Sequence, residues 1–302
     1  MKRTGAKSRL RDWAVHLAML PMAATVLLAY LGTVAWSVRV SFSSSRTLPL
    51  DDFVGLAQYV RLFSSERWLV SLENAALFGV LFIAACLVLG LLLAVFIDQK
   101  VAAEGALRTV FLYPYAMSFV ATGLVWQWVL NPELGLQTSI RGLGFESFRF
   151  DWIVSQDKVM YALVLAAVWQ ASGLVMALML AGLRGIDDSL WKAARIDGIP
   201  TWRVYLSIVL PQLGPSIGTA VVLLSVSVVK LFDVVVAMTQ GGPGVASEVP
   251  AKFIMDNLFT RSNIGLASAA STVLLLTVLA VLTPWAYARA RAARRETQGA
   301  HA

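Results

Sequence analysis

The chain has 302 residues, 58% of them hydrophobic and only 14% charged, with a formal net charge of +7. Ordinary soluble domains carry about a quarter charged residues, so this composition excludes a water-soluble globule. The basic residues are spread over inter-span segments rather than gathered on one aromatic-interleaved surface, so no nucleic-acid partner is expected.

Six windows contain no Asp, Glu, Lys or Arg: Trp13–Val38, Asn74–Ile97, Thr109–Pro132, Val159–Leu183, Val204–Val229 and Ser262–Ala288, each 24 to 27 residues long. About 20 residues of helix cross a bilayer. The pattern predicts an all-α polytopic membrane protein with six transmembrane helices; a barrel would need short alternating strands. The chain parses as one integral membrane domain over 1–302, with a core over 13–290, an N-terminal segment 1–12 and a tail 289–302.

In chain order, MKRTGAKSRLRDWAV precedes an apolar run too long for a cleaved signal, so it reads as the lead of an uncleaved first span. FVGLAQYVRLF follows, with Phe53, Leu56, Tyr59, Val60 and Phe63 at the spacing of a short amphipathic surface helix. Cys86, the only cysteine, lies inside the second span, which excludes a disulfide framework and a cysteine-rich metal site. The third window carries Pro114 in its first turns and Trp126 and Trp128 near its end, where aromatic side chains suit the interface.

Arg184–Pro211, between the fourth and fifth windows, reads as two helices with a turn. Asp187, Asp188 or Ser189 can cap the first. Gly198 can end it in a left-handed conformation, and Pro200 suits the first position of the second helix. After the fifth window MTQGGPG reads as a flexible turn, EVPAKFIMDNLFTRSN as a helix returning to the sixth span, and Arg289–Ala302 as a frayed basic tail.

Lys and Arg set the orientation. The side holding both termini has 15 of the 25 basic residues and 7 of the 18 acidic ones; the other side has 9 and 10. The positive-inside rule predicts both termini in the cytoplasm.

The stretch LWKAARIDGIPTWRVYLSIVLP resembles the cytoplasmic EAA loop of permease subunits in binding-protein-dependent ABC importers. Ala193, Ala194, Asp197, Gly198, Ile208, Leu210 and Pro211 fall in register with that motif, while Lys192 stands where the family has Glu. FVGLAQYVRLF, LRTVFLYPYAMSFVATGLVWQWVLNPELGL, VVKLFDVVVAMTQGGPGVASEVPAKFIMDNLF and RSNIGLASAAS resemble segments of the carbohydrate branch, of the maltose-permease type. The EVPAKF form is similar to glucose and α-glucoside members. The resemblance implies a type I importer fold with a coupling helix between spans four and five, built on Asp187, Leu190, Trp191, Lys192, Ala193, Ala194, Ile196, Asp197 and Gly198. It further implies the cytoplasmic membrane of a bacterium or archaeon, two ATP-binding subunits that hold ATP and Mg, a second related permease, an extracytoplasmic sugar-binding protein and a sugar solute, with membrane lipid around the spans. No cofactor is expected on this chain.

The sequence contains no GxxxxGK[ST] phosphate loop, and His16 and His301 have no metal-ligand spacing, so no catalytic activity is expected of this chain. Solute contacts are sought among aromatic, amide and ionisable groups near the spans: Trp126, Gln127, Asn131, Trp169, Gln170, Lys230, Asp233 and Gln240. Ionisable groups cost roughly 2.5–3.5 kcal/mol at a bilayer centre, which singles out Lys230 and Asp233. Three residues apart, these two would share a helical face and pair locally. Each candidate has a structural alternative: an ion pair at the boundary for Lys230 and Asp233, helix–helix bonding for Gln170. The competing function is a stand-alone ion-coupled carrier or channel.

Overall fold

The computed structural model describes residues 18–50, 52–99 and 103–299. The N-terminal segment 1–12, the start of the first window, Lys100 and His301 lie outside the described residues. The described chain contains helices and no strand. It separates into two compact units, one of residues up to Ser65 with Ile254–Val281, the other of Glu66–Phe253 with residues from Leu282 on.

In the first unit, α1 (Ala18–Val40) passes through a π-helical stretch at Val26–Leu31. Only Val40 along this helix is buried, so its apolar surface is not covered by its own unit. Ser41–Leu50 then turns back over hydroxyl contacts. Ser43 Oγ meets Ser45 Oγ, and Gln58 Nε2 donates to the Ser43 carbonyl at 3.0 Å. The short helix α2 (Ala57–Phe63) has its predicted apolar stripe largely on the outside: Phe53, Leu56, Val60 and Phe63 are exposed, while Leu62 is buried. Tyr59 turns inward and shares a 2.6 Å hydrogen bond with Ser41.

The second unit is built on α3 (Glu66–Asp98) and, after the intervening elements, α7 (Val159–Arg184), its most closely packed helix pair. Close approach requires small residues at the crossing. A Cβ on Gly90 would sit 2.5 Å from Val175 Cγ1, and on the side of α7 that meets Glu104–Leu112 one on Gly173 would overlap the Phe111 carbonyl. The core gathers along α7, where Ala162, Leu163, Ala166, Val175, Met176 and Met179 are buried.

The third and fifth windows are not straight helices. α4 (Glu104–Leu112) runs on through a 3-10 turn at Tyr113–Ala116, and the chain then bends by 100° into α5 (Phe119–Val129). Pro114 therefore lies beside a break and not in the first turns of an unbroken span. Met117 and Ser118 are extended, and Ser118 Oγ caps α5 by accepting from Ala121 N at 3.1 Å. The break frees the Met117 carbonyl, and Gln170 Nε2 on α7 donates to it at 2.9 Å. A small helix, α6 (Leu136–Gly142), lies in the loop before α7.

Beyond α7 comes the loop helix α8 (Asp188–Ile196). It is followed by α9 (Thr201–Gln212), which bends by 66° into α10 (Gly214–Val229). Pro211, Gly214 and Pro215 account for this bend, since each proline lacks the backbone donor a continuous helix needs. Then follow α11 (Asp233–Met238), α12 (Pro250–Met255) and α13 (Ile264–Gly299). The helical backbone of α13 continues to Gly299, within the segment for which the sequence predicts a frayed tail, because Ala, Arg and Glu there are strong helix formers. By length and apolarity, α1, α3 and α7 each suffice to cross a membrane; the two bent pairs pass jointly, and Ile264–Ala280 is a shorter apolar stretch.

Candidate functional site

The α7 helix separates two loop regions. Its 26 residues extend about 39 Å. Its C-terminal end carries the α8 loop, and its N-terminal end approaches a cavity.

The α8 helix is specified by its own termini. Asp187 is the cap, its carboxylate accepting from Ser189 N at 2.8 Å. That bond holds the Asp187 carboxyl below its ordinary value. At the other end Gly198 adopts φ +67°, Gly198 N donates to Arg195 O at 3.2 Å and Ile199 N to Ala194 O at 3.0 Å. This is a Schellman closure, with Ala194 and Ile199 both packed on the core. Pro200 caps the next helix from outside it (ψ 140°), one position earlier than predicted.

The two faces of α8 differ. Ala194 is 4% exposed, and Trp191 packs edge-on against Tyr205 at 5.4 Å, so both turn toward their own bundle. Leu190, Lys192, Ala193, Asp197 and Gly198 lie outside, and Ile196 is 86% exposed. The root of the loop is tied to the α3–α4 link. Arg184 Nη2 contacts Glu104 Oε1 at 2.7 Å and its Nε lies 3.7 Å from Asp98 Oδ1.

At the other end, Gln127, Asn131, Pro132, Ile153, Val154, Met238, Thr239, Gly242 and Pro243 line a cavity of about 300 Å³. Two predicted solute contacts, Gln127 and Asn131, thus come together. Asn131 Oδ1 is taken by the backbone nitrogens of Glu133 and Leu134. Gln240 is exposed at φ +51° in the adjoining turn and does not line the cavity. Trp126 and Trp169 pack edge-on at 5.9 Å. Gln170 is buried and serves the α4–α5 break, the helix–helix alternative.

Lys230 and Asp233 do not form the predicted local pair: no ion pair joins them, and both are exposed. The cause is local. α10 ends at Val229, and Phe232 (φ −132°, ψ −56°) leaves helical geometry, so the spacing of three no longer puts them on one face.

Sequence reasoning missed Arg67, Asn74 and Glu248. Arg67 Nη2 donates to both Glu248 carboxylate oxygens at 2.8 and 2.9 Å, and Asn74 Nδ2 donates to the carbonyls of Ala246 and Glu248. The stretch just after the Gly-Gly-Pro-Gly turn is thus held from α3, with Ser247, Glu248 and Val249 buried. The sequence shows there only charged and amide side chains, which do not identify partners far along the chain.

The described chain thus combines apolar helices long enough to cross a membrane, two bent pairs, a capped helix projecting between two of the candidate spans, and a cavity near the other end of α7. Residues 86–295 match the family described as the binding-protein-dependent transport system inner membrane component, and the chain belongs to that family. It is 38% identical to a probable ABC transporter permease of Pyrococcus horikoshii, over 84% of this chain and 88% of that one. It is 32% identical to the xylose/arabinose import permease XacH of Haloferax volcanii, over 91% and 86%. It is 29% identical to the trehalose/maltose permease MalF of Thermococcus litoralis, over 87% and 89%. Its fold matches a chain from the crystal structure of a bacterial ABC transporter that imports alginate, with TM-score 0.80 and 19% identity, covering 95% of this chain and 98% of that one.

Proposed function

We propose that this chain is the membrane-spanning subunit of an ATP-driven carbohydrate importer, forming the translocation path with a second permease. In this reading it crosses the cytoplasmic membrane six times with both termini in the cytoplasm. Each of the six charge-free windows falls on a long helix, a bent pair or the apolar part of α13, which supports that count. The carbohydrate class rests on relatives named for xylose and arabinose or trehalose and maltose.

The α8 helix is assigned the coupling role. The observation that carries this is the division of its faces: Trp191 and Ala194 anchor it, while Leu190, Lys192, Ala193 and Ile196 are presented outward. Two ATP-binding subunits would receive this face, and Arg184 would pass their movement to the α3–α4 link. ATP and Mg would be held on those subunits. Where the family has Glu, Lys192 offers a cation, so the facing groove of this ATPase is expected to present a carboxylate. The cavity by Gln127 and Asn131 is assigned to the solute path, where a sugar delivered by an extracytoplasmic binding protein would meet amide groups among apolar walls.

The test is to purify the tagged chain from its native membranes and assay the eluate for ATP hydrolysis, beside Gly198→Asp. An ATP-hydrolysing complex that is lost or uncoupled in the variant is expected. A wild-type chain that emerges folded, alone and without ATPase after mild detergents would favour the stand-alone carrier.

A further inference from the structure

The Gly-Gly-Pro-Gly loop between α11 and α12 has little rigidity of its own, since Gly241 and Gly244 adopt φ +88° and +61°. It is held instead from α3. Arg67 grips both oxygens of Glu248, a carboxylate 1% exposed. Two turns further along the same helix face, Asn74 Nδ2 donates to Ala246 O at 3.0 Å and Glu248 O at 2.9 Å. Within the loop, Ser247 Oγ lies 2.7 Å from both Thr239 Oγ1 and the Gly242 carbonyl. The tie thus passes from α3 through Glu248 and Ser247 to Thr239 and Gly242, and these two line the cavity together with Gln127 and Asn131.

A buried ion pair adds little stability over an apolar packing of the same volume; what a doubly bonded one supplies is fixed geometry. The geometry points to Arg67, Asn74 and Glu248 as positioning residues that hold one wall of the solute cavity in the shape that admits the sugar. This inference rests on the cavity lying on the solute path. None of the three side chains lines the cavity; they act through Thr239 and Gly242. Loosening the clamp therefore changes solute affinity before it changes turnover.

The test uses the complete importer in proteoliposomes, with binding protein inside the assay and radiolabelled glucose, maltose and xylose as probes. Glu248→Gln removes the charge, and Asn74→Ala is the milder variant should the first fail to assemble. Hydrogen exchange is measured over Gly241–Ser247, and uptake KM and Vmax are measured for Glu248→Gln, Asn74→Ala and Gln127→Ala. The clamp predicts loop exchange about tenfold faster and KM about tenfold higher in Glu248→Gln, with a smaller change in Asn74→Ala and Vmax within about twofold. Unchanged exchange in both clamp variants overturns the clamp. Faster exchange with an unchanged KM, or a fall in Vmax and assembly alone, reduces it to a structural tie and overturns the positioning role. If Gln127→Ala raises KM and the clamp variants do not, the inference fails while the solute path stands; if Gln127→Ala also leaves KM unchanged, the solute-path reading itself falls. A wild-type complex that carries none of the three sugars overturns the sugar reading and the positioning role with it.

Discussion

The loops at the two ends of α7 are fixed by opposite means. The α8 loop is held by near neighbours: Asp187 bonds to Ser189, and Gly198 and Ile199 bond to Arg195 and Ala194. The Gly-Gly-Pro-Gly loop is held by Arg67 and Asn74, 181 and 172 residues distant in sequence from the groups they bind. A helix closed by its own caps can project from the bundle and keep one face free for a partner. A loop tied from another span becomes part of the wall, and its shape depends on how the spans pack.

This contrast predicts a ranking of thermal stabilities, each measured by melting the purified complex. Glu248→Gln breaks the doubly bonded ion pair to Arg67 in a mostly buried place, and a loss of about 3 kcal/mol is expected. Gln170→Leu strands the Met117 carbonyl at the α4–α5 break, with an expected cost of about 2 kcal/mol. Gly198→Ala meets no atom within 4 Å of the new Cβ, so only the left-handed backbone is penalised, by about 1 kcal/mol. If Gly198→Ala costs as much as Glu248→Gln, the distinction between local and distant fixation fails.

The smallest effect concerns acid. The Asp187 carboxyl is held below its ordinary value of 3.8 by bonds from Ser189, so its ionised form is favoured in the folded chain. Its contribution is complete above that ordinary value and is lost as pH falls through the lowered folded value. Asp187→Asn keeps a cap but removes this titration, so the acid limb of the melting-temperature profile should flatten and the neutral-pH melting temperature should change little. A steeper acid limb in the variant would contradict the cap assignment.

What was legible in the sequence follows the same division. Charge-free windows, the Asp187 cap and the left-handed Gly198 are local facts, and the α8 helix has the bounds its caps imply. The bends were not read. Pro114 and the Pro211–Pro215 stretch mark weak points, but the angle depends on what relieves the broken backbone, here Gln170 from another helix. The Lys230–Asp233 pairing failed because it presumed a helix that stops at Val229. Among candidate solute contacts, Gln127 and Asn131 meet in the cavity, whereas Trp126 and Trp169 pack on each other. Residue chemistry nominated all of them, but it could not tell which would meet across spans.

The central claim is that the outward face of α8 receives the ATPase. Cys86 is the only cysteine and is buried, so Ile196→Cys introduces a single accessible thiol without disturbing the anchored face. The most direct measurement places a photo-crosslinker on that thiol in native membranes and identifies what it captures. The account predicts a crosslink to an ATP-binding subunit, with no such product from Asn131→Cys at the cavity. Capture of lipid alone at Ile196→Cys, in a complex that still hydrolyses ATP and transports, would contradict it.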